Sequence, residues 1–253
     1  MPLLEVHDLS IHFGGVKAVQ HVSFGVEAGI VYSVIGPNGA GKTTLFNLIT
    51  GIYTPTSGEI RLDGEPIQGR APDRLARRGM ARTFQNLQVC MNMSAIENVM
   101  VGAHLRLDRN LVKAALRLPS LARRDRALRA ESAELMRFVG LADYVEARAD
   151  GMPYGALKRL EIARALAAQP RILFLDEPAA GLNPKETQEI DALVRKVADG
   201  GVTVVLVEHD MKMVMNLSDR ILVLDYGKKI AEGSAAEVRR NPDVIAAYLG
   251  AHA

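Results

Sequence analysis

Ile30-Val31-Tyr32-Ser33-Val34-Ile35, followed at once by Gly36-Pro37-Asn38-Gly39-Ala40-Gly41-Lys42-Thr43-Thr44, decides the fold. The first six residues are too apolar for a half-exposed strand and read as a strand buried on both faces. Beyond the glycines, Leu45, Leu48 and Ile49 recur at helical spacing, so Lys42 to Thr50 reads as a helix. Between strand and helix stands a full Gly-x-x-x-x-Gly-Lys-Thr pattern, in the setting its chemistry requires. A triphosphate packs several negative charges into a small volume. Glycines let backbone N–H groups point inward at it with no Cβ in the way, and the helix adds its positive N-terminal end. The segment Gly36 to Thr44 is therefore the expected site for the phosphates of a nucleoside triphosphate such as ATP. Lys42 would reach the β- and γ-phosphates, and the Thr43 hydroxyl would ligate Mg²⁺.

Working outward, 253 residues with 48% hydrophobic and 24% charged composition suffice for a sizeable core. The net charge of +2 gives no global argument for nucleic acid or an acidic partner. The single cysteine, Cys90, excludes an internal disulfide and any cysteine-cluster metal site, fits a reducing compartment, and reads as a small buried apolar side chain. Met1 to Ser10 lack the basic head and apolar block of a signal peptide, and no apolar stretch approaches bilayer-spanning length.

Leu3 to Phe13 and His21 to Val26 alternate like strands, with Gly14, Gly15 and Gly29 as turns. From about Met93 to Asp150 the pattern turns helical and rich in Arg, Ala and Leu, with the Glu131 to Val139 stripe stopping at Gly140. Strand Ile172 to Leu175, helix Lys185 to Val197, strand Val202 to Val207 and a hairpin around Asp225-Tyr226-Gly227-Lys228 follow. The expected fold is α/β: a P-loop NTPase (RecA-like) core with a largely parallel sheet, an N-terminal antiparallel β subdomain and an inserted α-helical subdomain. The core and its β region would occupy 1–92 and 166–253, the insertion 93–165.

The site also needs a carboxylate for the metal and a group to align water. Arg171-Ile172-Leu173-Phe174-Leu175-Asp176-Glu177-Pro178 supplies both at the end of a buried strand, where ligands gather in open α/β sheets. Asp176 would orient Mg²⁺, and Glu177 would accept a proton from the attacking water.

The remaining motifs resemble those of ABC transporter ATPases across nearly the whole chain. Arg82-Thr83-Phe84-Gln85-Asn86 resembles the family's glutamine loop, implying that Gln85 touches the metal or water and senses the transporter. Met152-Pro153-Tyr154-Gly155-Ala156, with a helix starting near Leu157, resembles the signature that grips the nucleotide of a head-to-tail partner. Pro153, Tyr154, Gly155 and Ala156 are the residues so implied. Ala180-Gly181-Leu182-Asn183 is similar to the D-loop, and His209 in Val207-Glu208-His209-Asp210 to the switch histidine that contacts the γ-phosphate. By the same resemblance Phe13 would stack on adenine. As a residue alone, a strand aromatic reads equally well as core-facing.

Finer phrases, including Pro153-Tyr154-Gly155, Asp176-Glu177-Pro178-Ala179-Ala180-Gly181-Leu182-Asn183-Pro184 and Asn241-Pro242-Asp243, look like the ATPases of branched-chain amino acid importers. That resemblance implies two membrane permease subunits, a second, non-identical ATPase subunit (with a homodimer open to the isolated chain) and, indirectly, a soluble solute-binding protein. It implies a peripheral place on the cytoplasmic face of the plasma membrane. The alternatives are an ABC ATPase serving another solute permease and one acting on nucleic acid. Pro153 departs from the usual serine and has neither hydroxyl nor N–H to donate, and Leu157 stands where a polar residue is usual. The basic run Arg106, Arg109, Lys113, Arg117, Arg123, Arg124, Arg126 and Arg129 has no aromatics to stack on bases. It reads first as a solvated face, then as a membrane-side contact, and last as a nucleic-acid surface.

Overall fold

The computed structural model describes residues 2–106 and 119–250. The chain opens with β1 (Leu4–Phe13) and β2 (Val16–Val26), joined across Gly14-Gly15 so that Phe13 pairs with Val16. β2 begins five residues before the strand expected from sequence. His21 is the cause: at φ 51° it interrupts the in–out alternation of the strand, and the pairing slips between Leu9 and Ile11. β3 (Val31–Ile35) is buried at every residue and feeds α1 (Lys42–Ile49). β4 (Ser57–Leu62) and β5 (Glu65–Pro66) form a hairpin, and α2 (Pro72–Ala76) and β6 (Met80–Arg82) follow.

Among the described residues three α-helices follow: α3 (Ala95–Gly102), α4 (Pro119–Phe138) and α5 (Tyr154–Leu166). They pack on one another around Val99, Met136, Leu160 and Ala163. The core resumes with β7 (Ile172–Asp176), α6 (Pro184–Asp199), β8 (Thr203–Val207), α7 (Met211–Leu217), β9 (Arg220–Asp225) and β10 (Lys228–Gly233). It closes with α8 (Ala235–Arg240) and α9 (Pro242–Gly250).

Two sheets result. The smaller is antiparallel, in the order β2-β1-β4-β5, and the larger runs β10-β9-β3-β8-β7-β6. In the larger sheet every pairing is parallel except that of the edge strand β10 with β9. Apolar residues on both faces of β3, β7 and β8 explain why these three strands are buried throughout: helices cover one side, and the small sheet with α1 covers the other. The parallel strands β3, β7 and β8 end in one region, so the residues that follow them meet there.

Among the described residues, no helix is long and apolar enough to cross a membrane. Arg109, Lys113 and Arg117 lie outside the described residues. Of the basic residues that are described, Arg106 is bonded to both oxygens of Glu131 (2.6 and 2.8 Å), Arg129 to Glu146, and Arg124 to the Arg106 carbonyl. Much of this charge is thus committed within its own lobe. Cys90 is half-buried rather than buried, its backbone tied to the Asn98 side chain.

Candidate functional site

Two glycines shape the loop between β3 and α1. At Gly36 a Cβ would lie 2.1 Å from the Leu224 carbonyl oxygen, and at Gly41, φ 97°, 2.5 Å from that of Ala18. Asn38, Gly39 and Thr43 are exposed, Pro37 and Thr44 half-buried, and Ala40 packs inward. α1 has no side-chain cap and no acid in its first turn, so its leading amides remain for an anion. Lys42 curls back over the loop, its Nζ donating to the carbonyls of Gly36 (2.7 Å) and Pro37 (3.0 Å). Burial pushes its ammonium below the ordinary lysine range, against the upward pull of Glu177 and Asp176. An open cleft of about 600 Å³ follows the loop from Asn38 to Thr44, with Lys17, Glu177 and Tyr226 on its walls.

β7 ends at Asp176, whose carboxylate is 5% exposed and accepts a bond from Arg82 Nη2 at 2.9 Å. Burial pushes that carboxyl up, and Arg82 draws it back down. Glu177 then turns at φ 49°, a left-handed conformation that costs on the order of 1 kcal/mol for a residue with a Cβ. Its N–H to the Val207 carbonyl (2.9 Å) holds the turn in place. The carboxylate therefore meets two other loops: Oε2 accepts from Gln85 Nε2 at 3.2 Å, and Oε1 lies 3.8 Å from His209 Nδ1. His209 is 64% exposed. Lys42, Asp176, Glu177, Gln85 and His209 thus share one neighbourhood, although they come from four separate stretches of chain.

The signature segment opens a helix of its own. α5 begins at Tyr154, three residues earlier than the sequence suggested, with Pro153 as its N-cap at φ −58° and ψ 151°. The fixed proline ring suits that extended cap, and the Leu157 N–H closes the first turn onto the Pro153 carbonyl (3.0 Å). Pro153 and Tyr154 are exposed, but Gly155 and Ala156 are buried, Ala156 at 2%. Gly155 sits so close to Glu186 of α6 that a Cβ would fall 2.5 Å from the carboxylate oxygen. Leu157 is buried in the helical core, so its apolar side chain is explained by packing. Phe13 does not face the core; it is 46% exposed and meets Tyr53 edge-on at 5.3 Å.

Comparison with known proteins bears on this layout. The ABC transporter family matches residues 19–180, from β2 through the acids after β7. This chain is a member of the ABC transporter family. A second family, the branched-chain amino acid ATP-binding cassette transporter, matches residues 228–253. The chain is 48% identical over 250 residues to the high-affinity branched-chain amino acid transport ATP-binding protein BraF of Pseudomonas aeruginosa, covering 98% of each. It is 44% identical to LivG of Escherichia coli, described in the same words, again over 98% of each. Among solved structures it resembles an ATP-binding cassette of an ABC transporter in its ADP conformation, with a TM-score of 0.86 and 29% identity over 99% of each chain. A nucleotide-free cassette gives a TM-score of 0.85, also at 29% identity, over 98% of this chain and 99% of that one.

Three residues of this ABC transporter member have places at the site that the sequence reading left without a role. Arg82 bonds Asp176, as described. Glu208, buried to 1%, accepts the backbone N–H groups of Ala179 (3.0 Å) and His209 (3.1 Å), and burial raises its carboxyl above the usual range. It ties the loop after Glu177 to the base of His209. Tyr248 of α9 has its hydroxyl pushed up to about 12 by burial, with a bond to the Gly36 backbone pulling the other way, so the last helix touches the first residue of the loop. Charge in a run of strand residues was the available signal for Arg82 and Glu208; nothing local pointed to Tyr248.

A mainly apolar cleft of this ABC transporter member lies elsewhere. Ile52, Met80, Phe84, Val101 and Leu105 line it where the helices meet the α/β core, one residue from Gln85.

Proposed function

We propose that this chain is the ATP-hydrolysing subunit of a branched-chain amino acid importer. The observation that carries the reading is the Glu177 carboxylate, held between Gln85 and His209 on the wall of the same cleft that the Gly36 to Thr44 loop forms. Full-length similarity to ATP-binding proteins of branched-chain amino acid transport supports the substrate.

The loop amides and Lys42 hold the phosphates. Thr43, Gln85 and Asp176 are the residues that would hold the magnesium of MgATP, which would offset phosphate charge when bound. That donor set fits: one hydroxyl, one amide and one carboxylate suit an ion that keeps waters and takes phosphate oxygens. No cluster of three His, Cys, Asp or Glu side chains occurs among the described residues. Glu177 takes the proton as a water oxygen bonds to the γ-phosphorus and the bond to the bridging oxygen breaks, leaving ADP and phosphate. His209 steadies the γ-phosphate, and Phe13 stacks on the adenine.

The described helices within 93–165 belong to a helical subdomain, whose exposed Pro153 and Tyr154 would lead towards the nucleotide of a second, non-identical ATPase. Of the two permease chains, one docks from the membrane in the apolar cleft beside Phe84 and Gln85, the other on the second ATPase, with a solute-binding protein beyond them. The subunit works at the cytoplasmic face.

The test is reconstitution of this chain with its partner ATPase and permeases in proteoliposomes. Uptake of leucine, isoleucine or valine driven by ATP on the cassette side is expected, and Glu177→Gln should abolish it. ATP-driven uptake of another solute class alone would overturn the substrate. Co-purification with DNA or ribosomes at moderate salt, with no permease, would overturn the transport reading.

A further inference from the structure

Arg82, the last residue of β6, has a side chain only 9% exposed that is shared by two other elements. Its Nη1 donates to Asn47 Oδ1 and Thr50 Oγ1, both at 2.7 Å, at the far end of α1 and just beyond it. Its Nη2 donates to Asp176 Oδ2 at 2.9 Å, at the tip of β7. Two rings cover the guanidinium, Phe46 at 5.8 Å and Phe84 at 5.0 Å, and Nε is buried without a partner.

Stability alone is a poor reason for this arrangement. The cost of taking two charges out of water largely cancels their attraction, so an apolar pair of similar volume would hold the fold as well. What a rigid, planar fork provides is geometry. One nitrogen grips the helix whose first turn carries Lys42 and Thr43; the other grips the acid. The bond engages one carboxylate oxygen, Oδ2, which fixes the direction of the other.

We propose that Arg82 is a positioning residue that sets Asp176 relative to α1, and so brings the acid and the Thr43 hydroxyl to the spacing that magnesium requires. The inference rests on the reading of Asp176 and Thr43 as magnesium residues. Arg82 itself does not touch the nucleotide. Its loss therefore weakens the metal's contribution to binding and leaves the grip of the loop amides on the phosphates.

The experiment measures ATP affinity by calorimetry in EDTA and at a series of Mg²⁺ concentrations, alongside the Mg²⁺ needed for half-maximal hydrolysis. Parent, Arg82→Lys, Asn47→Ala and Asp176→Asn proteins are compared. Lysine cannot serve three acceptors in two directions, so Arg82→Lys should raise the Mg²⁺ requirement about tenfold, as loss of an outer-shell partner does. Its affinity for ATP in EDTA should stay within about twofold of the parent, under 0.5 kcal/mol. Asn47→Ala, which removes one anchor of the fork and leaves the carboxylate pair intact, should raise the requirement roughly threefold; it decides the matter if Arg82→Lys fails to fold. A requirement that rises for Asp176→Asn but in neither of the other two overturns the positioning role alone. A requirement unchanged in Asp176→Asn overturns the magnesium assignment and the inference with it. A parallel loss of ATP affinity in EDTA and in Mg²⁺ would show that Arg82 merely supports the fold.

Discussion

The loop after β3 and the segment that opens α5 are both helix N-termini, yet they are built differently. The first has a buried strand behind it, amides free of any cap, an ammonium curled over it and two acids beside it. The second has a proline in place of a donor, an exposed tyrosine, and a glycine and an alanine turned inward. One gathers charged groups around free amides; the other presents Pro153 and Tyr154 to solvent. On the proposed function the difference teaches that hydrolysis by this chain would turn on residues grouped around a single cleft, and that the signature would contribute when another cassette brings a nucleotide to it.

The sharpest way to break that contrast is Glu177→Gln. The amide keeps the shape and loses the basicity, so steady-state hydrolysis should fall on the order of a thousandfold while ATP affinity holds. Turnover at the parental rate would remove Glu177 from its role. His209→Ala should cost about a hundredfold in kcat with a smaller change in KM, the scale for losing one donor to developing charge. Equal effects on kcat and on ATP affinity would make it a binding residue. Lys42→Ala removes a charge-assisted contact of about 1.5–3 kcal/mol, roughly 10- to 100-fold in ATP affinity measured by calorimetry.

On the other side of the comparison the expected effects are small. Pro153→Ser supplies a hydroxyl able to cap the amides of α5, so thermal stability should rise by about 1 kcal/mol. In the assembled heterodimer that change should also speed the site completed by this signature, read as turnover with the partner's own base intact. Gain in stability with no gain in turnover would place the serine donor outside the mechanism.

The same contrast explains what could be read in advance. The strand, loop and helix around Lys42 are contiguous, so their periodicities and glycines carried the reading, as did the apolar run that ends in Asp176. The sequence places the start of α5 late because Tyr154 and Gly155 are poor helix formers in isolation, and packing against α3 and α6 overrides them. The β4–β5 hairpin was missed although Asp63 and Gly64, both at positive φ, are the turn pair that such a hairpin favours. The role of Arg82 depends on contacts 35 and 94 residues away, which no local pattern displays.

Titration of the purified chain with MgATP in a calorimeter tests the central claim most directly. Saturable binding of about one nucleotide per chain, weakened by Lys42→Ala as the strength of a charge-assisted contact requires, is the expected result. A folded protein that takes up no ATP, or that binds it equally well without the lysine, would contradict it.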